Sequence, residues 1–368
     1  FLLSFITVVA LTGSGVTTPN PKQYSDAVRA HQASTVNGNS AALIGHVPTG
    51  ASAVATTVQA KLRKMVSVTD FCAVGDGVTD DTAAIQAAHD IAVASSYQQV
   101  LFPAGTYQFT TLTWSPHVCA RTSGKVYLRT ANASGRTIQV SDQYGRPALY
   151  GLNSPRNNVF DGQFILINTN SSNTATAWSF GGSSSSYYCN LATVLKGVET
   201  RGFHGGVYEF RYNAFLLSIE DSFDYGNNGN RIKIAAPVTN TGEGLRFINT
   251  TFGTGTSYVL DVNTAHVASI DFIGCSADYT LGLNKPGNSA PLVAVNWNGG
   301  HLEWDTVAAA YLQNDGGMTW NIDGAYLTSG LTVGFHNPFV SDTTGNSTTR
   351  IVNAKYAFAP SVNTLHRV

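Results

Sequence analysis

Charge is what this chain has least of. Only 12% of its 368 residues are Asp, Glu, Lys or Arg, about half the usual share of roughly 25%. Twenty-one Lys and Arg face 22 Asp and Glu, for a net charge of −1. No basic excess is available to neutralise phosphates, which argues against nucleic-acid binding. Cysteine is also sparse. Cys72, Cys119, Cys189 and Cys275 are spaced by 47, 70 and 86 residues. With no C-x-x-C and no H-E-x-x-H, a zinc site is not expected. A disulfide framework needs denser cysteines in a shorter chain, so the four read as small buried hydrophobes. No apolar run reaches the ~20 residues that cross a bilayer. P-loop, Rossmann fingerprint, EF-hand and G-x-S-x-G elbow are all missing.

What is present is 43% hydrophobic residues and 36 Gly, with a polar surface drawn from Asn, Ser, Thr and Gln. That is the composition of a folded chain, not a disordered one. Phe1–Leu11 (FLLSFITVVAL) reads as a strand packed on a partner, or as the h-region of a signal peptide without its basic start. An opening Phe instead of Met marks a fragment or a processed end. Residues 12–60 are rich in Gly, Ser, Thr, Ala and Asn, with a helix near Tyr24–Gln32, and read as a connector or adaptor.

At Val66 the character changes. VSVTDF is an alternating strand, followed by the turn Gly75-Asp76-Gly77. Asp80 and Asp81 stand where an N-cap is wanted for the helix TAAIQAAHDIAVAS, whose Ile85, Ala88 and Ile91 (or Ala92) recur at helical spacing. VLFPAGTYQF is then a strand with a turn inside it. From about 120 onward, short alternating strands recur between Asn- and Gly-rich turns: VLKGVETRGF, FLLSIEDSF, GLRFINTTF and ASIDFIGCSADY. Taking Leu195, Leu217, Leu245 and Ile270 as equivalent gives spacings of 22, 28 and 25, a solenoid period. Helix-free repeats of this length fit an all-β parallel β-helix better than a propeller. Asn at the corners tolerates a left-handed backbone. Stacked coils share a core that no single coil could bury, which lets few charges suffice.

The run AVATTVQAKLRKMVSVTDFCAVGDGVTDDTAAIQAAHDIA…VLFPAGTYQF resembles the pectate-lyase-like opening of bacteriophage tailspikes and capsule depolymerases. Its VSVTDF-to-GTYQF part also looks like secreted β-helix polysaccharide enzymes. AVATTVQAKLRK resembles the phage-tail segment joining a particle-binding region to the helix. The stretches GGVYEFRYNAFLLSIEDSF, TGEGLRFINTTF and IDFIGCSADY look like tailspike coils, so the similarity covers about residues 50–280. It implies a right-handed parallel β-helix (a pectin-lyase-like solenoid) with a short N-terminal capping helix, usually a homotrimer that binds and often cleaves a host surface polysaccharide. The expected division is an adaptor over 1–60, the start of the β-helix with its capping helix over 61–115, and coils with a short C-terminal end over 116–368. Cys72 departs from the pattern, standing where Gly is common in this family.

Glycosidic hydrolysis needs two carboxyl groups, one to protonate the leaving oxygen and one as nucleophile or base. Elimination needs a base beside a uronic acid, with Arg, Lys or a cation neutralising its carboxylate. Glu220, Asp221 and Asp224 lie in one repeat, Glu243 opens the next, and Asp271 and Asp278 follow, with Glu303 and Asp305 beyond. Stacked coils bring residues 22 to 28 apart to about 4.8 Å; Asp221 and Glu243 are 22 apart. Glu243, on a Gly-Glu-Gly turn where the similar tailspike stretch also carries an acid, is the first candidate, then Asp221 and Asp278. Asp76, Asp80 and Asp81 read as turn and cap residues. Arg201, Arg211 and Arg246 could hold an anionic sugar bidentately or brace turns. His204 and His266 could shuttle protons or satisfy local hydrogen bonds. Tyr187, Tyr188, Tyr208, Trp297, Trp304 and Trp320 could stack on sugars, though Trp304 and Trp320 suit the core equally.

The resulting expectation is a virion or extracellular depolymerase of a bacterial surface polysaccharide (capsule, O-antigen or exopolysaccharide). It hydrolyses with Glu243, Asp221 and Asp278 and binds through Arg201, Arg246, Tyr187, Tyr188 and Trp304. A uronan lyase and a non-catalytic glycan-binding protein are the alternatives. No cofactor or metal is expected, Ca²⁺ being reserved for a lyase. The expected partners are the glycan, two further copies of the chain, and other phage tail proteins through the N-terminal segment, without nucleic acid or membrane insertion.

Overall fold

The computed structural model describes residues 26, 45–46, 49, 52–62, 65–95, 99–141, 158–182, 189–235, 241–255, 257–263, 267–280, 282–304, 312–314, 317–329, 340–341 and 348–357. The chain divides into two units, Phe1–Lys64 and Met65–Val368. In the first, strands Gly45–His46 and Thr56–Thr57 pair antiparallel and the helix Val58–Leu62 follows. Phe1–Leu11 and, Asp26 apart, the expected helix near Tyr24–Gln32 lie outside the described residues.

The second unit is a parallel β-helix whose coils contribute strands to three parallel ladders. The first ladder includes Gln99–Phe102, Cys119–Thr122, Ala214–Glu220, Leu245–Ile248, Ala268–Ile273, Val293–Asn298 and Thr319–Asp323. The second includes Gly105–Gln108, Val126–Thr130, Phe223–Tyr225, Thr251–Phe252, Ser276–Thr280, His301–Trp304 and Tyr326–Ser329. The long strands Asn158–Asn168 and Cys189–Arg201 run through both. A third, from Leu112–Trp114 to Val340–Ser341, completes the coil. Thus VLFPAGTYQF is two strands on two ladders, its Pro-Ala-Gly turn forming a corner.

Alternation along each strand puts one face inward. In the first ladder Phe160, Leu195, Ile219, Phe247, Phe272, Trp297 and Ile322 stack in register and are all buried. Phe247 and Phe272 lie 5.2 Å apart between ring centroids, Phe272 and Trp297 4.5 Å. Leu245 and Ile270 are register partners, and Leu217 stands one residue before the pair Ser218–Arg246. Leu195 instead meets Ile219, because a bulge between Thr193 and Leu195 shifts the register. The corner after this ladder carries a left-handed residue in coil after coil: Asp221, Asn249, Gly274, Gly299, Gly324 and Asn353. Each suits that backbone, Gly because it lacks Cβ, Asn and Asp because their short side chains tolerate it.

The helix Thr82–Ala94 caps the core with Ile85, Ala88, His89 and Ala92, while Ile91 is exposed. His89 is the member that helical spacing did not single out. Its Nε2 accepts from Ser115 N at 2.8 Å and burial pushes its pKa down, so the ring docks neutral. Two local expectations are corrected. VSVTDF is a strand only over Val66–Ser67; Val68–Phe71 is a 3₁₀ helix, because Ser67 and Asp70 form a reciprocal capping box. The Asp81 carboxylate folds back to accept from Val74 N and Gly75 N, leaving Asp80 to accept from Thr82 N. Among the described residues no helix is long and apolar enough to cross a membrane.

Cys119, Cys189 and Cys275 are buried, but Cys72 is exposed and left-handed, at φ 69° and ψ 21°. An L-residue there costs about 1–2 kcal/mol, part of which Gly returns as unfolded-chain entropy. Cys72→Gly is therefore expected to raise stability by about 0.5–1 kcal/mol, read as a higher urea midpoint; an unchanged or lower midpoint contradicts this.

Candidate functional site

Beyond the left-handed corner, the second ladder presents an outward face built from two rows of side chains. One runs Phe223, Thr251, Ser276, His301, Tyr326 and Lys355. The other continues from Tyr225 past Gly253 to Asp278, Glu303 and Thr328. Between the rows the buried Asp224, Phe252, Ala277, Leu302 and Leu327 point inward.

Asp278, His301 and Glu303 converge here, with donor atoms within 4.8 Å of one another. Asp278 Oδ1 accepts from Ser276 Oγ and lies 3.2 Å from His301 Nδ1. His301 Nε2 is 2.6 Å from Thr328 Oγ1, so the imidazole is held between a carboxylate one coil below and a hydroxyl one coil above. With Nδ1 donating to Asp278, Nε2 of a neutral ring accepts from Thr328. The Tyr326 ring lies 5.8 Å from that of His301, tilted by 30°. A base oriented by a carboxylate, next to a second carboxylate, is an arrangement suited to proton transfer.

The structure does not bring the three expected carboxylates together. Asp278 belongs to the cluster. Asp221 is the left-handed corner residue, at φ 50°, and its Oδ1 accepts from Asn249 Nδ2 at 3.2 Å. Glu243 is exposed in the turn before Leu245–Ile248, its carbonyl accepting from Leu216 N at 2.7 Å. Because Asn249 stacks on Asp221, six residues after Glu243 in the same coil, these two acids stand roughly a strand length apart, on the order of 20 Å.

Arg201 lies on the second ladder in register with Tyr225, hydrogen-bonded through Nε to Glu199, which raises its pKa. Arg246 is exposed on the first ladder between Ser218 and Asp271. Tyr187, Tyr188, His266 and Asp305 lie outside the described residues, as does the side chain of Trp304. Tyr208, Trp297 and Trp320 are core residues. Glu220 lies 3.9 Å from Lys196, and Asp271 accepts from Asn296 Nδ2. Asp76 is held below the usual carboxylate range by the N–H groups of Thr79 and Val78. His204 lies by Asn228, and burial lowers the Arg211 pKa with Arg136 adding repulsion.

Asp224 is fully buried with Arg231, Oδ1 to Nε 2.8 Å. Arg231 also donates to the carbonyls of Gly229 at 2.9 Å and Gly253 at 2.7 Å, and to Ser257 Oγ at 3.0 Å. Burial pushes the Asp224 carboxyl up to about 6, with Arg231 opposing. This pair braces the coil directly under the outward face.

Stacked parallel coils carrying a polar, aromatic-flanked cluster on one outer face make this unit a parallel β-helix with a candidate site on its flank. Residues 65–162 match the family described as rhamnogalacturonase A/epimerase, pectate lyase-like. Mannuronan C5-epimerases AlgE5 and AlgE4 of Azotobacter vinelandii are 29% and 28% identical to it over 167 residues, 44% of this chain. That stretch is 17% and 30% of their lengths, so the chain spans less than a third of either relative. A mutant tailspike protein of E. coli bacteriophage HK620, solved with a pentasaccharide, superposes with a TM-score of 0.55 at 12% identity, covering 90% of this chain and 64% of that one. At that identity the likeness is one of fold.

Proposed function

We propose that the outward face of the second ladder is a glycan-processing site, and that the chain binds and depolymerises a bacterial surface polysaccharide by hydrolysis. The observation that carries this is the convergence of Asp278 and Glu303 around His301 on a rigid, aromatic-flanked sheet. One carboxylate oxygen of Asp278 and one of Glu303 lie within 4.8 Å of each other, which supports the closely paired carboxyls of a retaining mechanism. Asp278, fixed by Ser276 and His301, suits the nucleophile: its carboxylate bonds to the anomeric carbon as Glu303 gives a proton to the leaving oxygen. Water then replaces Asp278, giving its proton back to Glu303.

The Asp278–His301 contact favours one alternative, proton abstraction beside a uronic carboxyl with His301 as base. Lys355, two coils beyond His301 in the same row, supports this reading as a cation on the same face. This leads to elimination, or to epimerisation if the proton returns to the other face. The tailspike-like segment 53–64 supports a homotrimer on a virion or outside the cell; a monomeric mass by light scattering would remove the trimer.

The test is incubation with a panel of capsular, O-antigen and uronan polysaccharides, followed by size-exclusion chromatography, ultraviolet absorbance and proton NMR. Shortening without an unsaturated product is expected. Shortening with one indicates elimination, and unchanged length with altered uronate signals indicates epimerisation. Retention of a glycan without change identifies a binding protein only.

A further inference from the structure

Resting on that reading of the face, we infer that Tyr225 is the aromatic platform of a sugar subsite below Asp278, and that Gly253 is the residue that lets the Tyr225 ring lie close against the next coil. Phe223 and Tyr225 are 39% and 49% exposed, large apolar rings left in solvent by a sequence that buries most others. Their ring centroids lie 6.0 Å apart and their planes within 15° of parallel, so the two rings form one exposed aromatic platform. The residue between them, Asp224, points the other way into its buried contact with Arg231. The platform therefore stands on a fixed backbone rather than on a loop.

Above the platform the side chains become small. Gly253 N donates to Asp224 O at 2.8 Å, which puts Gly253 over Tyr225, and Arg231 Nη2 holds the Gly253 carbonyl at 2.7 Å. A Cβ at Gly253 would lie 3.5 Å from the Tyr225 ring and 2.6 Å from Asp224 O. Nothing larger than hydrogen fits there without moving the backbone. The register Thr251–Ser276 and Phe252–Ala277 carries Gly253 to the position under Asp278. Tyr225 and Asp278 are thus two coils apart, about 9.6 Å.

An exposed aromatic ring two coils below the proposed catalytic carboxylate is spaced to take one pyranose ring. The sugar's apolar face would stack on Tyr225 while its glycosidic oxygen reaches the Asp278–Glu303 pair. Glu199 and Arg201, hydrogen-bonded to each other one coil below the rings, bound the platform at its lower end. The glycan then lies along the stack, with Tyr225 gripping the sugar on the side of the earlier coils.

The experiment uses the whole chain and polymannuronate, polygalacturonate, dextran and an O-antigen as probes, measuring retention and, on any polymer that is processed, KM and kcat. Tyr225→Ala is expected to weaken binding and raise KM about tenfold with kcat changed less than about twofold, while Tyr225→Phe keeps the wild-type KM. Tyr225 is exposed, so the melting temperature is expected to hold in both variants, separating lost stacking from lost fold. Unchanged KM and retention in Tyr225→Ala would overturn the subsite, leaving the glycan reading intact. A wild-type chain that retains and alters none of the probes would overturn both.

Discussion

Replacing Asp224 with Asn is expected to cost about 3–5 kcal/mol, because it leaves the Arg231 guanidinium buried without a counter-charge. The hydrogen bonds from Arg231 to Gly229, Gly253 and Ser257 survive, which favours the lower end of that range. Arg231→Met should behave differently, because a carboxyl can discharge itself and a guanidinium cannot. In the wild type the folded Asp224 pKa, about 6, lies above an unfolded value near 3.9. Its stabilising contribution is therefore complete below about pH 4 and is lost as pH rises through 6, after which this group adds no further slope. Without Arg231 the neutral carboxyl persists to higher pH, so the loss continues at up to about 1.4 kcal/mol per pH unit. Urea denaturation at pH 6 and pH 8 separates the cases. Arg231→Met should lose additional stability relative to wild type between those pH values. An equal loss at both would mean that Asp224 is not the group left behind.

The second large effect is catalytic. Asp278→Asn and Glu303→Gln are each expected to lower turnover of a processed glycan by about 10²–10⁴-fold. Both residues lie partly exposed on the outward face, so little change in melting temperature is expected. Asp221→Asn should leave turnover nearly unchanged, since Asn tolerates the left-handed corner as well as Asp does. A large loss of activity from Asp221→Asn with the fold intact would place the chemistry on the corner instead.

The architecture was legible because its signals are local or repeat many times. Alternating strands, left-handed Asn and Gly corners and a helix with Ile85, Ala88 and Ala92 on one side all declare themselves within a few residues. The site was only partly legible because coils differ in length. The bulge at Thr193–Leu195 moves Leu195 opposite Ile219, and the Gly242–Gly244 turn inserts before Leu245, so a 22-residue spacing does not stack Asp221 with Glu243. The later coils are regular. Ser276, His301 and Tyr326 recur every 25 residues, as do Asp278, Glu303 and Thr328. Carrying the 25-residue step from Leu245 to Ile270 onward would have lined up both rows and singled out His301, which no local pattern marks. Tyr225 escaped for the opposite reason: in FDY the apolar residues sit on the outside and the acid on the inside, an inversion that only the buried Arg231 explains.

The most direct test is to incubate polysaccharides that the chain retains with wild type, Glu303→Gln and Glu243→Gln, and to compare chain lengths by size-exclusion chromatography. Shortening by wild type and Glu243→Gln, but not by Glu303→Gln, is the predicted result. Shortening that survives Glu303→Gln and disappears in Glu243→Gln would contradict the assignment and move the chemistry to the first ladder.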